Sequence, residues 1–194
     1  MDNNVIKELE FLFNIINEDR FKGKLDMPEF HVVEGDMDWQ WKVEYTDAKG
    51  FLVSVCEKKL MEDMRTIIVN MMHVMVHIYC KMEGIHDTCK DGWYHNRMFA
   101  ATARSRGMVV EKGKTTYGFV TADIQDNIYE RIMWQCEGKI DLKEQVLLIR
   151  EKRKERVGDR KKRKYKCPVC GCIASAFGST SLICADCNRH MELI

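Results

Sequence analysis

An apolar stretch from Leu60 to Met82 contains two histidines four residues apart, His73 and His77. It has no proline or glycine, and residues 67–79 are apolar on most sides, so we predict a buried central helix. Residues four apart lie on one helix face, about one turn from each other, so both imidazoles can bind one metal ion. This is the spacing of the helical H-E-x-x-H zinc motif, but Val74 occupies the position of its glutamate.

A third histidine, His95, follows His77 by 18 residues, at the start of a helix that we predict from Trp93 to Arg106. Three neutral imidazoles are a sufficient ligand set for a zinc ion with one open position. Buried histidines can instead be core residues held by hydrogen bonds, because an unsatisfied buried polar group costs about 1–3 kcal/mol. We predict a zinc site formed by His73, His77 and His95, with the core interpretation as its alternative.

Four cysteines near the C-terminus form two C-x-x-C pairs, a spacing that satisfies a tetrahedral structural zinc. They are Cys167, Cys170, Cys184 and Cys187. A segment below about 40 residues cannot supply a stable core alone, so the metal would supply most of its folding energy. We therefore predict a zinc ribbon over residues 167–194, with Cys172 as a further candidate ligand and His190 exposed. The other cysteines are predicted to be structural thiols: Cys56, Cys80, Cys89 and Cys136.

The net charge of +1 conceals an asymmetry between the two parts of the chain. Residues 150–194 contain 12 Lys and Arg against 5 Asp and Glu, a net of +7 that leaves −6 for residues 1–149. The basic residues concentrate in residues 150–166, which we interpret either as a solvated helix end and tether or as a phosphate-binding segment. The second interpretation predicts DNA or another nucleic acid as partner. Its candidate contacts are Arg160, Lys161, Lys162, Arg163 and Lys164.

The remaining patterns predict an α+β fold. Apolar residues recur at helical spacing from Val5 to Ile16, and turn residues separate three apolar segments that we predict to form a small antiparallel sheet. The segments are Phe30–Val33, Trp39–Tyr45 and Phe51–Cys56. An irregular stretch or hairpin begins at Met108, and a last helix is predicted from Leu142 to Arg156. The predicted domains are residues 1–149 and 167–194, with 150–166 as a basic linker.

The composition predicts a cytoplasmic protein without a membrane partner. The chain has no apolar run of about 18 residues, and its first residues lack the features of a signal peptide. In such a compartment, nine cysteines indicate metal ligands or buried thiols rather than disulfides.

The order of these motifs resembles the SprT-like domain family, which includes bacterial SprT and the DNA–protein crosslink protease Spartan. The resemblance covers roughly residues 5–190 and is carried by Phe21-x-Gly23-x-Leu25-x-x-Pro28, the short sheet, His73-x-x-x-His77, His95-x-x-x-Phe99, the basic segment and the four cysteines. It implies a zincin-like, metalloprotease-type domain, often DNA-associated, in which the three histidines are the zinc ligands. It also implies that Tyr117 lies in the region that lines the active-site cleft.

The chain departs from the family pattern at Val74, and Asn96 stands where the family often has glycine. Valine cannot take the proton from a zinc-bound water or pass it to the leaving amine, so we assign no catalytic residue. The nearest acidic residues, Glu83, Asp87 and Asp91, lie beyond the helix. We therefore predict an inactive or strongly impaired peptidase that acts by binding DNA or a protein.

Two alternatives remain open. One is an active zinc peptidase that cleaves DNA-bound proteins with a non-standard base. The other is a nucleic-acid-binding or transcription-associated zinc-ribbon module whose larger domain is only a scaffold.

Overall fold

The computed structural model describes residues 3–35, 41–89, 92, 94–113, 118–159, 162–178 and 180–194. The chain has the predicted α+β character, and it forms two compact units, Met1–Val146 and Leu147–Ile194. Among the described residues, no helix is both long and apolar enough to span a membrane.

The first unit begins with helix α1, Asn3–Ile16, which continues as a single π-helical turn, Asn17–Phe21. The buried Asn17 side chain donates to the carbonyl of Leu25 and accepts from its N–H, at 3.0 and 3.1 Å. This pair of hydrogen bonds fixes the loop that leads from α1 into the sheet.

The sheet contains β1 (Glu29–Val33), β2 (Trp41–Thr46) and β3 (Gly50–Cys56) in the order β1-β3-β2. The prediction of an antiparallel sheet is wrong for one pair, because β1 runs parallel to β3 while β2 is antiparallel to it. Most β3 side chains are buried and most of those in β2 are exposed, so β3 takes the centre and β2 an edge. The predicted strand residues 39 and 40 lie outside the described residues.

The central helix starts later than predicted. A 3₁₀ helix spans Glu57–Met61, and helix α2 then runs from Met64 to Met82. Asp63 caps α2 because its side chain accepts a hydrogen bond from the Thr66 N–H at 3.0 Å. Leu60 and Met61 are apolar and continue the hydrophobic pattern of α2, so the sequence pattern does not show where the 3₁₀ helix ends and α2 begins.

The predicted helix over residues 93–106 also begins later. Two short strands, β4 (Thr88–Cys89) and β5 (Tyr94–His95), pair with each other before helix α3, Arg97–Ser105. His95 therefore lies on a strand, and Trp93 lies outside the described residues. Asn96 is the helix cap, since its side chain accepts from the N–H groups of Met98 and Phe99.

The first unit ends with a hairpin and helices. Strands β6 (Met108–Lys112) and β7 (Phe119–Ile124) are antiparallel, in agreement with the hairpin alternative. Helix α4, Asp126–Cys136, has no counterpart in the sequence predictions. Helix α5, Leu142–Asp159, extends beyond its predicted end at residue 156 and contains the boundary between the two units.

The strands of the second unit are β8 (Lys162–Lys166), β9 (Ile173–Phe177), β10 (Ile183–Cys184), β11 (Arg189–His190) and β12 (Glu192–Leu193). They form a three-stranded sheet in the order β12-β8-β9 and a small hairpin of β10 with β11. The described part of the predicted linker, residues 150–166, thus contains the end of helix α5 and strand β8. Tyr165 holds β8 in place, because its ring is buried and its hydroxyl lies 3.4 Å from the Gly178 carbonyl oxygen.

Candidate metal centres

The three histidines predicted as ligands converge in the structure. His77 Nε2 lies 3.1 Å from His73 Nε2 and 3.2 Å from His95 Nε2, and one ligand atom from each residue falls within 4.8 Å of the others. Zinc binds imidazole nitrogen at about 2.0–2.1 Å, so the nitrogens of a tetrahedral site lie about 3.3–3.4 Å apart. We call His73, His77 and His95 the histidine centre. Its two nitrogen separations from His77 are slightly shorter than those of a tetrahedral zinc site, so the three residues could hold a metal ion.

The second nitrogen of each imidazole is held by the surrounding protein. Its partners are Thr121 Oγ1 for His73 (3.0 Å), Asp87 Oδ2 for His77 (2.5 Å) and the Phe119 carbonyl oxygen for His95 (3.0 Å). A carboxylate and a carbonyl only accept, so Nδ1 of His77 and of His95 carries the proton and donates it. The Nε2 lone pairs of these two residues are therefore free to bind a metal.

Phe99 forms one wall of the histidine centre. Its ring is fully buried, and its centroid lies 4.2 Å from that of His95 and 5.0 Å from those of His73 and His77. The aromatic ring packs against all three imidazoles and restricts their rotation. It also excludes water from that side of the site.

The backbone at Gly118 brings β7 close to His95. Gly118 forms a parallel bridge with His95 and has a φ of +73°. A Cβ atom built there would lie only 2.2 Å from the His95 carbonyl oxygen, so a larger residue would displace His95 or the strand. Tyr117, which the family resemblance places near the cleft, lies outside the described residues.

Burial lowers the pKa of two of these imidazoles. The pKa of His73 lies well below its usual range because the ring is desolvated, and His77 and His95 lower it further. The pKa of His95 falls to about 4, mainly through desolvation and then through His77. Both rings are therefore neutral near pH 7, the protonation state in which imidazole binds metals.

Val74 is buried beside the histidine centre, with 1% of its surface exposed. Among the described residues, the group of converging ligand atoms contains no aspartate or glutamate. Of the acidic residues beyond the helix, Asp87 returns to the site, but it contacts the Nδ1 side of His77. Glu83 is exposed and Asp91 lies outside the described residues.

The sequence does not predict that Asp87 belongs to the site. Its contact with His77 depends on how the loop after α2 folds back.

Asp87→Asn is expected to weaken metal binding at the histidine centre by about 10- to 100-fold, because the amide no longer provides a charged acceptor for His77. Cobalt titration of the metal-free protein measures this affinity, and the absence of thiolate charge-transfer bands distinguishes the histidine centre from a cysteine site. Asp47→Asn, in the exposed turn between β2 and β3, is the control. Equal affinities in the two variants would contradict the assigned role of Asp87.

The four predicted cysteine ligands also converge, with their sulfur atoms within 4.8 Å of one another. We call Cys167, Cys170, Cys184 and Cys187 the cysteine centre. The sulfurs of Cys170 and Cys184 are 3.6 Å apart, close to the separation of about 3.8 Å expected for tetrahedral Zn–S bonds of about 2.3 Å.

Two turns present these thiols. Gly171 N–H donates to the Cys167 carbonyl at 3.0 Å, and Asn188 N–H donates to the Cys184 carbonyl at 2.8 Å. Hydrogen bonding from the Cys172 backbone N–H lowers the pKa of Cys170 to about 6, so this thiol readily provides a thiolate. The donor set suits a thiophilic metal ion.

The other sulfur atoms divide into two groups. Cys56, Cys80 and Cys136 are buried, as expected for structural thiols, whereas Cys89 and Cys172 are exposed. The sulfur of Cys172 lies 3.4 Å from that of Cys184, so it contacts the cysteine centre without belonging to the four-sulfur group. His190 is exposed as predicted, with Nδ1 3.2 Å from the Ser181 hydroxyl.

The predicted nucleic-acid contacts are only partly described. Arg160 and Lys161 lie outside the described residues, whereas Lys162, Arg163 and Lys164 belong to β8. Lys162 and Lys164 are exposed and Arg163, on the alternate face of the strand, is half-buried.

The fold and its sites define an α+β protein with two groups of side chains, one of histidines and one of cysteines, that could each hold a metal ion. Comparisons with family models, with curated proteins and with solved structures give no match for this chain.

Proposed function

We propose that this chain is a SprT-like zinc protein that binds nucleic acid and does not hydrolyse peptide bonds at a useful rate. The observation that carries the proposal is the convergence of three Nε2 atoms at a site where Val74 replaces the general base. In this proposal the histidine centre and the cysteine centre each hold one zinc ion, and the cysteine centre stabilises a C-terminal ribbon.

The histidine centre lacks the glutamate of the H-E-x-x-H motif, and this absence favours binding over catalysis. Zinc bound there would supply Lewis-acid polarisation of a carbonyl group. Amide hydrolysis also needs a group that takes a proton from water and delivers it to the leaving nitrogen, and Val74 can do neither. Asp87 accepts a hydrogen bond from His77 on the side away from Nε2, so it cannot replace that base. Losing a general acid–base typically costs about 10² to 10⁴ in rate.

A peptidase assay tests the catalytic part of this proposal. The zinc-loaded protein is incubated with an unfolded protein substrate, with and without DNA, and the products are followed by mass spectrometry. We expect no cleavage above the rate of a His77→Ala variant. Cleavage by the unmodified protein that this variant abolishes would establish instead an active zinc peptidase with a non-standard base.

The sheet of the second unit supports the nucleic-acid part of the proposal. In the antiparallel pair β8–β9, Lys162 lies opposite Phe177 and Lys166 lies opposite Ile173. Directly opposed residues project from the same face, and Lys164 shares that face because alternate residues point the same way. The exposed lysine face, defined as Lys162, Lys164, Lys166, Ile173 and Phe177, thus combines three positive charges with two apolar side chains.

This combination suits a nucleic acid. Lysines that neutralise phosphates release counterions, and an exposed aromatic ring provides a stacking surface for a base. Phe177 is 66% exposed and Ile173 is 61% exposed, so both side chains are accessible to a partner. We therefore propose a contact set that adds Lys166 and Phe177 to the predicted one and leaves out Arg163, which lies on the opposite face of β8.

Replacing Lys162, Lys164 and Lys166 together with glutamate is expected to weaken single-stranded DNA binding strongly. Log K falls as log salt rises, and each lost phosphate contact reduces the magnitude of that slope by about 0.7. Losing three contacts therefore reduces it by about 2. Fluorescence anisotropy at several salt concentrations measures both effects. The charge-matched control replaces the exposed Lys7, Lys24 and Lys49 of the first unit. If both triple variants lose affinity equally, net charge rather than the lysine face determines binding.

The same face also favours a second candidate function, a nucleic-acid-binding ribbon whose larger unit is only a scaffold. The two candidates differ at the histidine centre, which must bind a metal in the first and need not in the second. Metal content therefore distinguishes them.

A further inference from the structure

Two hollows adjoin on the first unit, where the start of α2, the second half of α4 and the start of α5 meet. One has a volume of about 540 Å³ and the other about 390 Å³, and Met64 and Ile140 line both. We call the joined hollows the α2–α4 groove. Its apolar lining includes Met61, Met64, Met133, Trp134 and Ile140. None of the described residues that line it belongs to the histidine centre or the cysteine centre.

Flexible apolar side chains form much of this surface. Methionine is unbranched and polarizable, so Met61, Met64 and Met133 can adapt to apolar groups of different shapes. Trp134, on α4, is 75% exposed, so its ring is accessible to a partner. A tryptophan side chain can bury about 150–250 Å² in a contact, and tryptophan is enriched among the residues that dominate binding energy. The groove therefore suits bulky apolar side chains.

Acidic side chains surround the apolar ones. The charged residues that line the groove are Glu62, Asp63, Glu130, Glu137 and Asp141, with Lys143 as the cation among them. Glu62 is paired with Lys59, whose Nζ lies 2.7 Å from its carboxylate. An excess of negative charge remains after this pair and Lys143 are counted, and Glu130 and Glu137 are both exposed. The groove therefore favours a cationic partner.

Two further cations of this region are engaged elsewhere. Arg65 donates to Asp123 and Asp126, at 2.7 Å in each case. The ammonium of Lys139 lies 5.6 Å from the centre of the Phe11 ring on α1. The acidic groups of the groove are thus available to charges that a partner brings.

The shape of the groove favours a polypeptide over a small molecule. Small-molecule sites typically enclose about 70–90% of the ligand surface, whereas both hollows here are open to solvent. A peptide can place apolar side chains in the hollows and its cations beside the surrounding carboxylates. Phosphates of a nucleic acid would instead meet groups of their own charge.

We propose that the α2–α4 groove binds a basic peptide segment of a partner protein. Bulky apolar side chains of this segment pack against Trp134 and Met64, and its lysines or arginines lie beside Glu130 and Glu137. The groove is separate from the two metal centres and from the lysine face, so the inference does not depend on the proposed function.

The test begins with selection of random peptides, displayed on phage, on the immobilised full chain. We expect the enriched sequences to combine several lysines or arginines with bulky apolar residues. The most enriched peptide is then synthesised with a fluorescent label, and its affinity is measured by anisotropy. Trp134→Ala should weaken binding by about 30-fold, the effect of a hot-spot residue. Binding should also weaken as salt rises, because salt screens exposed charges.

Charge reversal tests the acidic part of the groove. The double variant Glu130→Lys, Glu137→Lys should bind the peptide far more weakly and with a flatter salt dependence. The control, Asp26→Lys with Asp47→Lys, changes the net charge equally at exposed positions outside the groove and should keep the unmodified affinity. Met27→Ala, which removes an apolar side chain that is 42% exposed, is the control for Trp134→Ala. Circular dichroism confirms that each variant is folded.

Equal losses of affinity in the two charge-reversed variants would overturn the inference, as would unchanged binding by Trp134→Ala. An absence of enriched peptides, or enriched peptides without an excess of basic residues, would overturn it too. Sedimentation velocity of the chain alone tests a second copy as the occupant: a dimer that Trp134→Ala dissociates would assign the groove to self-association instead. These outcomes leave the metal content and the DNA binding, on which the proposed function depends, to be judged by their own measurements.

Discussion

Val74→Glu is expected to increase peptide-bond hydrolysis by about 10²- to 10⁴-fold over the unmodified protein, the usual contribution of a general acid–base. The substitution restores the helical H-E-x-x-H pattern around His73 and His77, the residues whose Nε2 atoms lie 3.1 Å apart. The measurement is the rate of cleavage of an unfolded protein substrate by the zinc-loaded variant.

Val74→Gln is the matched control, because glutamine has nearly the same size as glutamate but cannot act as a base. Val74 is almost fully buried, so zinc content and circular dichroism are measured on both variants to confirm that they fold. Cleavage by both variants, or by neither when both are folded and zinc-loaded, would show that the carboxylate at residue 74 is not the missing catalytic group.

Cys184→Ser is expected to unfold the second unit. Structural zinc sites contribute about 10–16 kcal/mol of apparent binding free energy at pH 7, far more than a sheet of this size gains by burial. The variant should lose one zinc ion, and residues 162–194 should become sensitive to limited proteolysis. The fragment that covers the first unit should keep its unmodified resistance.

Cys89→Ser provides the comparison, since Cys89 is an exposed thiol of the first unit. It should retain all bound zinc and the proteolysis pattern of the unmodified protein. A Cys184→Ser variant with a fully resistant second unit would mean that the cysteines are not what holds that unit together.

The spacing of His73 and His77 and of the cysteine pairs predicted both groups of converging side chains, because helical periodicity and tight turns are local properties. The position of His95 on a strand was not predictable in this way. Its placement depends on the pairing of β5 with β4 and on the bridge to Gly118, and both are contacts between separate segments. The contact between Asp87 and His77 has the same origin, since the loop after α2 must fold back to make it.

Two local signals were present but not recognised. Ile128, Ile132 and Cys136 recur every four residues and are all buried, the pattern of an amphipathic helix, and they form the inner face of α4. In β8 the lysines at alternate positions are exposed and only Tyr165 is buried. This pattern of mostly charged residues resembles a basic linker, which is why the sequence does not predict a strand there.

The parallel pairing of β1 with β3 has a different origin. It follows from the burial of β3 at the centre of the sheet rather than from the order of the strands along the chain.

We propose that the chain holds one zinc at the histidine centre and one at the cysteine centre, and metal analysis tests this most directly. Inductively coupled plasma mass spectrometry of the purified protein should find two zinc ions per chain. His77→Ala and Cys184→Ser should each retain one. A single zinc that Cys184→Ser removes and His77→Ala leaves in place would contradict this proposal, because the three converging histidines would then not form a metal site.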